Sequence, residues 1–338
     1  IVQKMNQQSS LYELLKHRLI YKGSTRTEKQ KGELNDLVVS ELSLSASSNL
    51  ENFEIKKLHQ LFQANYLISV GDYKSAVRSF QALNKLFEIN QEKLSTPPIY
   101  YLLNLEGVLE SMRSIGKYDN MEYFINQLRL IRSPSENFQA NVSSLIFIYE
   151  LICNLDQGNF AGCSRTMAES YNVNNEKLQL LTIQRRSEFC IYSALAWFVL
   201  KEYSKARKSL KQLYLLGNKY YNKSLNRTMR LVNLMMLYEL RDFDLIKSES
   251  RSIRRDMKGL ESGYRIERCM LSFVNRRNFP VTLAGREKYW NKMEPELDNI
   301  RNDIYERQVL RVFDFTAWIE SKIRRTSLSE VLKDSKNR

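Results

Sequence analysis

A short pattern recurs along the chain at nearly constant spacing. It is a tight turn that ends on an aromatic residue, and the positions three, seven and ten residues later are apolar in thirteen of fifteen cases. This spacing places the apolar side chains on one face of an α-helix. Self-similarity with such a period is typical of stacked helical hairpins and leaves few other folds open. The aromatic residues, which are 45, 42, 43 and 40 positions apart, are Tyr73, Tyr118, Phe160, Tyr203 and Phe243.

The first copy of the pattern carries the most specific motif. Gly71, Asp72 and Tyr73 form its turn, Ala76 follows three residues later, and Phe80 follows four after that. This segment resembles the turn and second helix of a tetratricopeptide (TPR) repeat, and the resemblance covers about residues 51–290. The spacing exceeds the 34 residues of that family, so each hairpin is expected to carry extra helical turns. The family also has a small residue seven positions before the turn glycine or its equivalent, which Ala64 and Ala194 match and the other three copies do not.

These repeats predict an all-α fold. We expect a right-handed α-solenoid of stacked antiparallel helical hairpins, TPR-like but with long repeats of about 40–45 residues. The low content of Gly (11 residues) and Pro (5 residues) agrees with long helices and short turns. The expected organisation is a helical lead-in over residues 1–50, the hairpin array over 51–303, and a capping helix with its tail over 304–338.

The C-terminal segment has its own pattern. An apolar stripe predicts one long helix over about residues 304–324, which would cap the end of the array. Residues 326–338 are polar and are expected to fray. Pro295 lacks a backbone N–H, and we expect it to interrupt or restart a helix.

Composition suggests a compartment. No run of about 18 uninterrupted apolar residues is present, so we expect no membrane span. No secretory signal is visible, and the four cysteines lack CxxC spacing, which favours free core thiols in a reducing, cytoplasmic setting. The chain begins with Ile rather than Met, and a fragment or a processed form is one interpretation of that start. The cysteines are Cys153, Cys163, Cys190 and Cys269.

The positive charge is concentrated in one part of the chain. The net charge is +14, and residues 177–230 contain twelve Lys and Arg against two acidic residues. One group of these bases, Lys201, Lys205 and Lys208, has helical spacing on the second helix of a predicted hairpin. Because apolar residues lie on the opposite side of that helix, we interpret this group as a solvated face.

A second group of bases forms the candidate ligand-binding site. Lys223, Arg227 and Arg230 have the same spacing on a first helix, and Arg185 and Tyr192 form a stripe on the preceding first helix. The TPR resemblance implies that first helices line a concave groove. A basic groove there would attract carboxylates, phosphates or an acidic peptide. The alternative is that the aromatic residues of this region are core between hairpins.

These features predict a binding protein. The resemblance implies protein or peptide partners, and the charge implies that they are acidic, so we expect a non-catalytic scaffold or adaptor. One alternative is a helical repeat protein that binds nucleic acid through the basic segment. A second is the sensory or regulatory part of a larger regulator. The sequence leaves the oligomeric state open.

Sequence motifs of catalysis are absent. The chain contains no GxGxxG, GxxxxGK[ST], GxSxG or HExxH segment, so we predict no enzymatic activity, no cofactor and no metal. Its two histidines, His17 and His59, have no carboxylate or cysteine at ligand spacing and are predicted to be surface residues. Trp197 lies in an apolar run and is predicted to be a core residue.

Overall fold

The computed structural model describes residues 2–22, 28–46, 52–215, 223–258, 263–276 and 279–335. These residues form α-helices joined by turns and contain no strand, so the predicted all-α class is confirmed for them.

The chain divides into two compact units, residues 1–149 and 150–338, a boundary that we did not predict. The helices are α1 Val2–Lys22, α2 Glu28–Ala46, α3 Phe53–Ser69, α4 Tyr73–Ile89, α5 Ile99–Ser114, α6 Met121–Leu130, α7 Glu136–Asp156, α8 Phe160–Glu176, α9 Ile183–Val199, α10 Tyr203–Leu215, α11 Lys223–Glu239, α12 Phe243–Lys258, α13 Arg265–Val274, α14 Leu283–Asn302, α15 Arg307–Leu310, α16 Phe315–Arg324 and α17 Leu328–Ser335.

The five repeat turns share one backbone geometry. In each, the residue two positions before the aromatic has a left-handed conformation, and the next N–H donates to the carbonyl five residues earlier, as Asp72 does to Leu67 at 2.9 Å. This is the Schellman arrangement, which satisfies carbonyls left over at a helix end. The left-handed residues are Gly71 (φ 80°), Gly116 (φ 71°), Gly158 (φ 63°), Lys201 (φ 63°) and Arg241 (φ 57°).

The predicted helix register is confirmed. Helices α4, α8, α10 and α12 begin at the predicted aromatic residue, and Tyr118 begins a single 3₁₀ turn that leads into α6. All thirteen apolar residues of the pattern are buried. Of the two serines, Ser170 is half-buried, whereas Ser250 is buried and accepts a hydrogen bond from Asn275 Nδ2 at 2.9 Å.

Unit 1 (residues 1–149) has a core that begins in the lead-in. Leu15 of α1, Leu34 of α2 and Phe62 of α3 form a buried cluster. Further along, α4 packs on α5 with the Phe80 ring directly over Gly107. A Cβ at Gly107 would lie 2.3 Å from that ring, so the close contact requires glycine.

The end of unit 2 (residues 150–338) differs from the prediction. The expected single helix over 304–324 is wrong, because Asp314 caps a new helix, α16, by accepting a hydrogen bond from the Ala317 N–H at 3.0 Å. The expected frayed tail over 326–338 is wrong for residues 328–335, which form α17 and bury Val331 and Leu332 against Ala317, and residues 336–338 lie outside the described residues. Two apolar side chains on one face therefore order a segment that is polar overall.

Helices α16 and α17 lie against the turn ends of earlier hairpins in unit 2. Trp318 Nε1 donates to Glu239 Oε1, at the end of α11, at 2.9 Å. Ser329 Oγ donates to the carbonyl of Gly158, in the turn after α7, at 2.6 Å. The last helices thus contact hairpins far back in the chain, which nearest-neighbour stacking does not predict.

Helix α14 differs from the prediction at Pro295. The expected interruption at Pro295 is wrong, because α14 runs through it. Trp290, Leu297 and Ile300 of that helix are buried, and their packing outweighs the lost hydrogen bond.

Helix α7 has the length and apolar composition of a candidate membrane span, but 61% of the apolar window is buried within the fold, as in core helices of soluble proteins.

Candidate functional site

The predicted site residues of α9 are buried. Arg185 is 9% exposed, and its Nη1 lies 2.6 Å from Glu188 Oε2, one helical turn further on. Tyr192 is 7% exposed. Both side chains therefore contribute to the packing of α9.

Arg227 of α11 is paired inside unit 2. Its Nη1 lies 3.0 Å from Glu267 Oε2, and its guanidinium lies 5.2 Å from the centre of the Tyr264 ring. Glu267 is only 3% exposed, and burial raises its pKa, an effect that Arg227 and the Tyr264 N–H oppose. Arg227 thus offsets part of the free-energy cost of burying the charged Glu267 carboxylate.

Arg230 of α11 is also paired internally. Its Nε donates to Glu249 Oε1 at 2.8 Å, and its Nη1 contacts Asp256. Burial acts to lower the pKa of Arg230, but its bonds to the two carboxylates raise it overall. Lys223 begins α11, and its side chain lies outside the described residues. The charge of these arginines is balanced within the fold, and a binding role for the five residues stays a prediction.

Exposed bases lie instead on α10. Its inner face, with Ala206, Leu210 and Leu213 buried, packs on α9. The residues from Tyr203 to Leu215 include no acid. The bases on the outer face of α10 are Lys205, Arg207, Lys208 and Lys211, and Lys201 is exposed in the turn before it.

The two ends of this face have different neighbours. At the N-terminal end, the Lys205 ammonium lies 4.6 Å from the centre of the Trp197 ring and 3.5 Å from Glu202. Trp197 is half-buried rather than fully in the core. At the C-terminal end, Tyr214 is 44% exposed and Leu215 is 77% exposed. We name the α10 face as the exposed side chains of Arg207, Lys208, Lys211, Tyr214 and Leu215.

Electrostatics on the α10 face differs from that around α11. Within the described parts of the chain, Arg207, Lys208 and Lys211 form no ion pair. Their charges are therefore available to a partner, whereas Arg227 and Arg230 would first have to release their own carboxylates. Of the bases that the sequence analysis interprets as a solvated face, Lys201, Lys205 and Lys208, all are exposed, and Lys208 is the one that belongs to the α10 face.

A polar cluster in unit 1 was missed by the sequence analysis. His59 Nδ1 lies 2.5 Å from Glu41 Oε1, and both Gln8 Nε2 and Ser45 Oγ donate to that same oxygen at 2.7 Å. The predicted surface position of His59 is wrong, since its side chain is 15% exposed, and Glu41 is 2% exposed. The cluster joins α1, α2 and α3, and nothing in local sequence spacing brings its members together.

Three of the four cysteines are buried. Cys163, Cys190 and Cys269 are buried, and burial raises the pKa of each to about 12, so these thiols are protonated at neutral pH. Among the described residues, no group of three or more His, Cys, Asp or Glu could hold a metal ion.

The chain was compared with known proteins in three ways. No protein family, curated protein or solved structure matches it. The TPR-like assignment stays a resemblance, carried by the motif at Gly71–Phe80.

Proposed function

We propose that this protein is a non-catalytic scaffold or adaptor that binds acidic protein or peptide partners through an exposed basic surface. The observation that carries the proposal is the α10 face, where Arg207, Lys208 and Lys211 project from a helix that has no acidic residue. We further propose that the hairpins within each unit stack as a right-handed, TPR-like solenoid. Rigid hairpins support this role because a preformed surface lowers the ordering cost of binding.

A nucleic-acid partner is the principal alternative. The same three bases could contact phosphates, and lysine and arginine dominate such interfaces. The size of the α10 face argues against this partner. From Lys205 to Lys211, the first and last exposed bases of α10, a helix advances by only about 9 Å, whereas nucleic-acid sites bury a larger and more extended basic surface. A sensory or regulatory part of a larger regulator remains compatible with the same binding surface.

Fluorescence anisotropy with two labelled peptides tests the proposal. One peptide has four glutamates at helical spacing, and its control has glutamine at those positions. The proposal predicts saturable binding of the glutamate peptide that weakens with added salt, and little binding of the glutamine peptide. Equal binding of both peptides, or no binding of either, would contradict it.

The same assay separates the alternative. Labelled duplex DNA and single-stranded RNA are titrated over the same salt series. Binding of either tighter than the glutamate peptide, with a steep loss of affinity at higher salt, would favour the nucleic-acid function instead.

A further inference from the structure

We propose that the α10 face docks a helical partner segment that carries acidic side chains next to apolar ones. This inference rests on the proposed function and assigns it a location and a partner chemistry. The face is one side of a single helix, with bases in its middle and apolar side chains at its end. It does not include the α11 arginines, whose charges are balanced internally.

The positions of the bases fit a helical partner. Arg207 and Lys211 are four residues apart, and Lys208 and Lys211 are three apart, so each pair spans about one helical turn. Carboxylates with the same spacing on a partner helix advance by the same rise of about 6 Å per four residues. Two helices lying side by side can therefore pair acids with bases along one row.

Apolar side chains at the end of the face add specificity. Leu215 is 77% exposed and Tyr214 is 44% exposed, about one helical turn after Lys211, the last base of α10. An exposed leucine and tyrosine next to charges favour a partner that offers apolar side chains at that end, because burying them excludes water from the contact. A peptide with acidic side chains alone would contact the bases of the α10 face and leave Tyr214 and Leu215 exposed to water.

Three charge-reversal substitutions in one variant test the location: Arg207→Glu, Lys208→Glu and Lys211→Glu. The matched control variant carries Lys74→Glu, Arg78→Glu and Lys85→Glu on α4, also the second helix of a hairpin, where all three bases are exposed. Both variants change the net charge equally. Circular dichroism checks that each retains the helix content of the wild type.

The probe is a labelled peptide with four glutamates followed by two leucines, compared with one in which serine replaces both leucines. The α10 variant should bind the probe at least about tenfold more weakly than the wild type, and the α4 control should stay within about twofold. The serine peptide should bind the wild type several-fold more weakly, and Leu215→Ser should remove that difference.

The outcomes separate the two proposals. If the wild type binds neither glutamate peptide, the proposed function fails and the docking site fails with it. If the wild type binds but the two charge variants weaken binding equally, the function stands and the α10 location is overturned. Equal affinity of the leucine and serine peptides for the wild type would overturn the apolar half of the site.

Discussion

At the residue scale, one backbone position sets the geometry of every repeat turn. Gly71 adopts the left-handed conformation, which glycine tolerates without steric cost. Lys201 and Arg241 adopt the same left-handed conformation although neither is glycine. Their side chains give no sign of this conformation in the sequence. The two hydrogen bonds that close each helix end impose it. Sequence therefore identifies the turn, while the conformation of its non-glycine members follows from those bonds.

Two glycines test this conformational requirement in unit 1. Gly116 has φ of 71° and Gly32 lies within α2, and a Cβ added at either would meet no atom within 4 Å. Gly116→Ala should lower the free energy of unfolding by about 1–2 kcal/mol because alanine disfavours the left-handed region. Gly32→Ala should raise it by about 1 kcal/mol because it removes glycine from a helix interior. Urea unfolding followed by circular dichroism measures both, and effects of the same sign would contradict the requirement for glycine at position 116.

The internal pairing of Arg227 predicts a structural cost at a residue first assigned to binding. Arg227→Met leaves the buried Glu267 carboxylate without its cation and should cost about 3–5 kcal/mol. Arg207→Met, on the exposed α10 face, should change stability by about 0.5 kcal/mol or less. The three tryptophans all lie in residues 150–338, so tryptophan fluorescence during denaturation reports on unit 2. A near-neutral Arg227→Met would show that the ion pair contributes little.

At the element scale, sequence predicts which face of a helix is buried but not which helix covers it. The spacing of Ala206, Leu210 and Leu213 correctly gives the buried face of α10. The partners of Arg227 and Arg230 are 40 and 19 residues away, and that distance in sequence hides them. The Glu41–His59 contact between α2 and α3 is hidden for the same reason.

The Glu41 cluster predicts a pH dependence of stability. Burial acts to raise the pKa of Glu41, but hydrogen bonds from His59, Ser45 and Gln8 hold it below the ordinary value of 4.5. A lowered carboxyl pKa stabilises the fold above pH 4.5, and this contribution is lost as the pH falls through the folded-state pKa. Glu41→Gln should therefore be less stable than the wild type at pH 7, with a smaller gap at pH 3.

Thermal unfolding followed by circular dichroism, from about pH 3 to pH 7, measures that gap. Glu28→Gln, on the same helix with an exposed side chain, is the control and should follow the wild type at every pH. A gap between Glu41→Gln and the wild type that is constant with pH would contradict the assigned role of the carboxylate.

At the scale of the whole molecule, helix content and repeat register are predictable because they depend on local spacing. The course of α16 and α17 is not, because it depends on contacts with residues far away in sequence. Trp318 donates a hydrogen bond to Glu239, 79 residues away in sequence, and Ser329 donates one to Gly158, 171 residues away. The polar composition of the last segment concealed the two apolar residues, Val331 and Leu332, that hold it.

This long-range contact within unit 2 predicts a remote effect. Leu332→Ala should loosen α17 and raise the rate of amide hydrogen exchange at residues 158–163, where α17 meets the turn after α7. Lys333→Ala, on the exposed side of α17, should leave exchange there unchanged. Exchange in that turn that does not respond to Leu332→Ala would contradict a stabilising role for α17.

Lysine footprinting measures whether an acidic partner binds at α10. The protein is acetylated with and without saturating glutamate–leucine peptide, and modification is quantified by mass spectrometry. If the site lies on α10, the peptide should protect Lys208 and Lys211, whereas Lys74 and Lys85 on α4 should be modified equally in both samples. Equal protection of both helices, or protection confined to α4, would contradict this location.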